Sequence, residues 1–187
     1  MGIDEVGRGS LAGPIVAVAL LSRGFPQEKK ILSQLKESKS LTVAKREFFF
    51  AQIVTNFLWS ASVLDNQFID RYGIQKANLL VFQEASESLL KEVVSPVEIL
   101  ADYVGGASNY LRHISFFKKG DEQFAEIAAA SIVAKVYRDN LMEEASQFFP
   151  LYDFASNKGY GSKDHLESLR QYGPSKFHRY SFLKNLF

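Results

Sequence analysis

Seven consecutive apolar residues, Ile15-Val16-Ala17-Val18-Ala19-Leu20-Leu21, follow Pro14. The run is continuous and β-leaning, so Pro14–Leu21 reads as a strand. Proline can open such a strand but cannot sit in its middle. A strand buried on one face alternates apolar and polar residues; an unbroken apolar run is buried on both. The sheet that holds this strand must therefore be covered by helices.

The rest of the chain fits that demand. Gly2–Gly7 reads as a preceding strand, with Gly7, Gly9 and Gly13 in the connection. Leu41–Asn56 is helix-like, with Thr42 placed as its N-cap and Phe49, Ile53 and Val54 on an apolar side. Leu58–Leu64 reads as another strand. Ile74–Val94 is a long amphipathic helix that stops near Pro96. Val97–Val104 is a strand that runs into Gly105-Gly106, and Ile114–Lys118 is a short one. Phe124–Phe149 is a second long helix, ended by Pro150. An antiparallel-looking set of strands thus gives way to alternating strands and helices. The expected fold is α/β, a mixed sheet flanked by helices. With 187 residues and no linker or repeat, the expectation is one domain over 1–187, with a loop-and-helix segment over about 151–187.

Bulk composition narrows the function classes. Net charge is +1, so a polyanion partner is not announced globally, and any positive surface must be local. The absence of cysteine excludes disulfides, thiolate metal sites and cysteine nucleophiles. No apolar stretch reaches the roughly 18 residues of a membrane span. Asp4 and Glu5 stand where the basic region of a secretory signal would be. The expectation is a cytoplasmic protein without membrane attachment.

The acidic residues carry the chemistry. Asp4 and Glu5 are adjacent on the first strand, where neighbours point to opposite faces. Both reach one site only if the strand ends and the chain bends there, and Gly7 and Gly9 permit a bend. Asp102 lies near the end of Ile99-Leu100-Ala101, and Asp121 just before the second long helix. Each acid alone is also an ordinary cap or turn residue. Together, at one sheet edge, four carboxylates would raise each other's pKa unless a cation intervened. Hard Mg²⁺ or Mn²⁺ takes such oxygen ligands. Two of them about 4 Å apart support phosphodiester hydrolysis.

Gly7-Arg8-Gly9 follows closely. Such a turn can bring backbone N–H groups and a guanidinium to a phosphate or sugar, or be a plain turn. Its spacing matches neither a Walker loop nor a dinucleotide fingerprint. Glu37-Ser38-Lys39 and Lys45-Arg46 add donors, whereas Lys29-Lys30 and Lys118-Lys119 read as solvated surface. Lys135 and Asp139, four apart, suit a helix-face ion pair. The small residues of Ala128–Ala134 read as a helix lying close against the sheet. Tyr160, between Gly159 and Gly161, is free to stack on a base or sugar. His165 and His178 are candidate general acids or hydrogen-bonded structural residues.

Taken in order, these segments resemble ribonuclease HII. The resemblance rests on Gly2-Ile3-Asp4-Glu5-Val6-Gly7-Arg8-Gly9 with Leu11-Ala12-Gly13-Pro14, and on Ser38-Lys39-Ser40-Leu41. It continues through Lys119-Gly120-Asp121, Ile127–Val136 with Arg138-Asp139, Lys158-Gly159-Tyr160-Gly161 with His165, and His178-Arg179 with Ser181-Phe182. It implies a ribonuclease H-like fold with a mixed five-stranded sheet. It implies two Mg²⁺ or Mn²⁺ ions on Asp4, Glu5, Asp102 and Asp121. It implies that Gly7, Arg8 and Gly9 contact the ribonucleotide at its 2′-OH, the group that separates RNA from DNA. Ser38 and Lys39 would contact the backbone, and Tyr160 would stack on the sugar at the RNA–DNA junction. The implied activity is endonucleolytic cleavage of RNA in RNA/DNA hybrids and 5′ of single ribonucleotides in duplex DNA. The products would carry 3′-hydroxyl and 5′-phosphate ends.

Three positions depart from the family pattern. Asp102 is followed by Tyr103 rather than glycine, and Asp65 and Asp70, after a different strand, are the other aspartates nearby. Glu37 stands for the usual aspartate, and Asn157 for a frequent histidine. The partner expected is an RNA/DNA hybrid or ribonucleotide-containing DNA, bound by a monomer without an obligate protein partner. A ribonuclease HIII-like, hybrid-only nuclease and a non-catalytic nucleic-acid-binding module are the alternatives.

Overall fold

The computed structural model describes residues 1–36, 41–102, 111 and 113–184. Five strands form one sheet in the order β3-β2-β1-β4-β5. They are β1 (Gly2–Val6), β2 (Ile15–Leu21), β3 (Leu58–Leu64), β4 (Ile99–Asp102) and β5 (Ile114–Phe117). β1, β2 and β3 form an antiparallel meander, while β4 and β5 run parallel to β1. The carboxyl ends of β1, β4 and β5 therefore lie at one edge, the place where open α/β sheets build sites.

The apolar run that demanded cover on both faces receives it. Every residue of β2 is buried. Ile15, Ala17, Ala19 and Leu21 pack with Ile3 and Ala101 under α4 (Ile74–Leu90). Val18 and Leu20 face the other way, toward α1 (Pro26–Lys36), α2 (Val43–Asn56) and α6 (Ala125–Phe148). The small residues of α6 serve packing as expected: Ala129, Ala130 and Ala134 are fully buried. They let α6 approach β1 so closely that a side chain at Gly2 would run into the helix backbone at Glu126 and Ile127.

Thr42 caps α2 by accepting from the Lys45 backbone N–H at 3.3 Å. α4 ends at Leu90, four residues short of the expected Val94, because the chain tightens into a turn there (Glu92 N–H to Leu89 C=O, 3.1 Å). β4 is described as far as Asp102; the expected continuation to Val104, and Gly105 and Gly106, lie outside the described residues.

Residues 26–36 and 66–72 form helices that the sequence did not announce. α1 begins at Pro26, and its buried Glu28 accepts from the backbone N–H groups of Arg23 (2.8 Å) and Phe25 (3.1 Å). The carboxylate thus folds back on the turn that precedes the helix. Its Lys29 and Lys30 are exposed, as expected of a solvated run. α3 (Asn66–Tyr72) is capped by Asp65, which accepts from Phe68 N–H at 2.7 Å.

Residues 150–184 form a small cap against α6 and the loop that follows β1. A one-turn 3-10 segment (Pro150–Tyr152) leads to α7 (Phe154–Asn157), α8 (Lys163–Tyr172) and α9 (Tyr180–Leu183). Tyr152, Phe154, Leu169 and Leu183 pack with Ala12 and Met142 in a third apolar cluster.

Candidate active site

The β-ladder sets the acids. Gly2 pairs with Leu100 and Ile3 with Ala101 on the parallel neighbour, so the next step brings Asp4 alongside Asp102. Both lie in the alternation phase that faces α6. Asp4 is 8% exposed; its carboxylate accepts from the Ser131 hydroxyl on α6 and from the Glu5 N–H at 2.8 Å. Burial first, then Asp102 and Asp121, push its pKa up to about 7. Glu5 is pushed up to about 8 by burial first and then by Asp4 and Asp102, with Arg8 opposing.

The strand ends and the chain bends at Gly7 (φ 92°), as expected, but one residue beyond Val6, so Glu5 itself stays in ladder register. Glu5 sits half-buried, one residue out of phase, and lines the same cleft as Asp121. Asp121 lies just before the long helix, as expected, in α5 (Gly120–Gln123), a single turn separate from α6. Lys119, in left-handed conformation (φ 54°), turns the chain there, and Gly120 N–H donates to Asp102 Oδ1 at 2.7 Å. That bond ties the loop of Asp121 to the end of β4. Asp65 and Asp70, the other aspartates weighed for the third position, are used elsewhere. Asp65 caps α3, and Asp70 accepts from the N–H groups of Tyr180 and Ser181, both at 2.9 Å.

Among the described residues, no three Asp, Glu or His side chains stand in ready metal-gripping geometry. The chemistry of the donor set nevertheless fits a hard divalent cation. All four donors are oxygens, and two are carboxyls whose raised pKa values report mutual repulsion and burial that a cation would relieve.

A cleft of about 630 Å³ opens beside these acids. Glu5, Asp121 and Glu122 line one part, and Lys36, Arg46 and Lys135 another. Lys135 also pairs with Asp139 at 2.8 Å, as the helical spacing predicted. Ser38 and Lys39, expected to contact the nucleic-acid backbone, lie outside the described residues.

The Gly7-Arg8-Gly9 turn and Tyr160 are brought together, and the sequence reading missed what joins them. Leu11 N–H donates to Gly159 C=O at 2.8 Å, so the two loops are paired by backbone. Arg138, fully buried on α6, donates from Nε to Pro14 C=O, from Nη1 to Lys158 C=O and from Nη2 to Ser10 Oγ, each at 2.9 Å. Its guanidinium lies 5.5 Å from the centre of the Tyr160 ring. Arg179, also fully buried, donates from Nε to Gly13 C=O (2.9 Å) and from Nη1 to Arg8 C=O (3.1 Å). Burial first, and then Arg138, lower its pKa to about 9.

Gly7 (φ 92°) is required: a Cβ there would collide with the Arg138 side chain and lie 2.8 Å from Pro14 C=O. A Cβ at Gly9 would meet nothing within 4 Å, so this side of its backbone is open to a ligand. Tyr160 is 38% exposed, available for stacking. Asn157 is structural, donating to Tyr152 C=O at 2.6 Å and accepting from Gly159 N–H at 2.8 Å. His165 and His178 are fully buried and bonded to each other, which excludes them as general acids on a substrate.

Ser131, Arg138 and Arg179 lie in the motifs that carry the resemblance, but their structural parts did not follow from the sequence. Ser131 stood in a stripe of small residues read as packing, and the acceptors of the two arginines lie far along the chain.

Comparison with known proteins gives the family and the fold. The ribonuclease HII family model matches residues 1–185. A ribonuclease HII of Clostridium botulinum is 41% identical over 186 residues, covering 99% of this chain and 68% of its relative. A ribonuclease HII of Caldicellulosiruptor bescii is 39% identical over 190 residues, covering 99% and 86%. Among solved structures, the PCNA:RNase HII complex of Archaeoglobus fulgidus matches with a TM-score of 0.78 at 24% identity, covering 99% of this chain and 95% of that one. Ribonuclease H2 of Pyrococcus horikoshii matches with a TM-score of 0.73 at 24% identity, covering 98% of each. RNase HIII solved with Mn²⁺ matches with a TM-score of 0.72 at 23% identity, covering 92% and 62%. The fold is ribonuclease H-like, and the chain belongs to the ribonuclease HII family of RNA-hydrolysing endonucleases.

Proposed function

We propose that this protein hydrolyses the RNA strand of RNA/DNA hybrids and cuts 5′ of single ribonucleotides embedded in duplex DNA, leaving 3′-hydroxyl and 5′-phosphate ends. The observation that carries this reading is the joining of the Gly7-Arg8-Gly9 turn to the Tyr160 loop, next to the carboxylates at the end of β1. A ribose 2′-OH needs a close backbone approach, which the open Gly9 allows. A junction sugar needs an exposed ring, which Tyr160 offers.

Asp4, Glu5, Asp102 and Asp121 would hold two divalent ions, Mg²⁺ or Mn²⁺. Such ions, when bound, activate the attacking water and stabilise the leaving oxygen. The chain's own residues supply the rest. Ser131 orients the Asp4 carboxylate, and Lys36, Arg46 and Lys135 offer cations to phosphates entering the cleft. Ser38 and Lys39 would add backbone contacts. We read residues 1–187 as one catalytic domain that acts as a cytoplasmic monomer without an obligate protein partner. Sedimentation with and without substrate checks the monomer.

The decisive assay incubates the protein with duplex DNA carrying one ribonucleotide, with and without Mg²⁺ or Mn²⁺. A metal-dependent cut on the 5′ side of the ribonucleotide is expected. Absence of that cut overturns the reading.

A further inference from the structure

His165 and His178 are both fully buried, and their Nε2 atoms lie 3.0 Å apart. Their hydrogen bonds admit one arrangement of protons. His165 Nδ1 faces Tyr160 C=O at 2.8 Å; a carbonyl only accepts, so Nδ1 carries the hydrogen. In the neutral ring His165 Nε2 then accepts, and the hydrogen between the rings belongs to His178. His178 Nδ1 is left as an acceptor, and it receives the Ser175 backbone N–H at 3.0 Å. A further proton on either ring would set two N–H groups against each other. Tyr152 and Phe154 wrap the pair with aromatic faces, their ring centres 4.7 and 5.5 Å from His178.

The relay joins the two loops the active site depends on. At one end, His178 forms a β-bridge with Ala12, and the adjacent Arg179 N–H donates to Leu11 C=O at 2.8 Å. Asn66 fixes the His178 carbonyl at 2.9 Å. At the other end, the Tyr160 carbonyl is held by His165 Nδ1–H and by Ser162 N–H, both at 2.8 Å. The Tyr160 backbone is thus referred, through two imidazoles, to the segment that follows Gly9.

We propose that His165 and His178 are positioning residues that set Tyr160 relative to the Gly7-Arg8-Gly9 turn, and thereby set the preference for a lone ribonucleotide over a continuous hybrid. The proposal rests on the reading of Tyr160 as the group that stacks at the RNA–DNA junction. Positioning is worth much in such a site, since a shift of about 1 Å can cost on the order of a hundredfold in rate.

The test uses His178→Phe, which keeps an aromatic ring and removes the relay, and His178→Gln, which restores a donor near the place of Nε2–H. For each folded protein, kcat and KM are measured on duplex DNA with one ribonucleotide and on an RNA/DNA hybrid. In His178→Phe the ratio of kcat/KM on the two substrates is expected to fall by about tenfold, mainly through kcat, and to recover in His178→Gln. An unchanged ratio, or no recovery with Gln, overturns the proposal. Two-bond ¹H–¹⁵N spectra of the wild-type protein at pH 7 test the relay without any substrate. A His165 Nδ1–H and a His178 Nε2–H tautomer are expected, and a charged or identical pair overturns it. Wild-type protein that cuts neither substrate overturns the nuclease reading instead.

Discussion

The Arg138 guanidinium lies 5.5 Å from the Tyr160 ring centre while hydrogen-bonding to Ser10, Ala12, Pro14 and Lys158. One buried cation thus supports an exposed aromatic ring and closes two loops around itself. Buried charges are costly unless satisfied, and here oxygen acceptors from the two loops satisfy it in place of a carboxylate. Removing it orphans several of them. Arg138→Ala is expected to lose about 3 kcal/mol of stability. Arg138→Lys, with fewer donors and no planar fork, should fold yet hold the loops poorly. Urea denaturation measures the first effect, and cleavage at a single ribonucleotide the second; full activity in Arg138→Lys would refute it.

Asp4→Asn should separate activity from stability. Loss of cleavage by at least about a hundredfold is expected, because a charged oxygen at the reacting edge is gone. Stability without metal should rise at pH 8. The Asp4 carboxyl has a folded pKa near 7, above its ordinary 3.8, so its contribution to stability is present in acid and lost as pH rises through 7. Asparagine carries no such charge. Thermal melts of wild type and Asp4→Asn should diverge between about pH 4 and 7, with the mutant higher at the alkaline end. The same linkage predicts that Mn²⁺ raises the wild-type melting temperature more at pH 8 than at pH 6. A shift independent of pH counts against metal binding at these carboxyls.

The two glycines of the turn should behave differently. Gly7→Ala forces a side chain into a left-handed position against Arg138 and Pro14, with an expected cost of about 2 kcal/mol. Gly9→Ala meets nothing and should change stability by less than about 0.5 kcal/mol. If Gly9 approaches a 2′-OH, the Gly9 variant still loses ribonucleotide cleavage. Chemical denaturation and the single-ribonucleotide assay, run on both variants, check the contrast.

The buried histidines predict an acid limit of their own. Burial first, then the neighbouring His165, lowers the His178 pKa to about 4, and burial lowers that of His165. Folded-state values below the ordinary 6.5 mean that the neutral pair's contribution is present above pH 6.5 and is lost as pH falls toward 4. Between pH 7 and pH 5 the expected loss is about 2 kcal/mol. His178→Phe should lack it. Stabilities of both proteins at pH 7 and pH 5 decide the matter, because the opposing acids are common to both.

Much of the frame was legible because burial is written as pattern. The unbroken run Ile15–Leu21 announced a strand covered on both faces, and the alanines of α6 announced a close approach. Asp4 and Glu5 could be picked out because acids at the end of an apolar strand need a reason. α1 was not legible, since its start depends on Glu28 folding back to Arg23 and Phe25. Arg138 and Arg179 could be picked out as motif residues, but the loops they close could not. Their worth lies in carbonyls far along the chain, which no periodicity records.

The span of those contacts carries a consequence for how the protein comes into being. Arg179 bonds Gly13 and Arg8 across 166 and 171 positions of sequence. Contacts that distant form late, after the entropy of closing the intervening chain has been met. During synthesis the strand bearing Asp4 and Glu5 emerges long before residue 179, so the turn beside it lacks the Arg179 bonds to Gly13 and Arg8 until then, even once Arg138 is in place. A growing chain would carry its acids early and complete the turn beside them only when a segment 166 positions downstream of Gly13 has emerged.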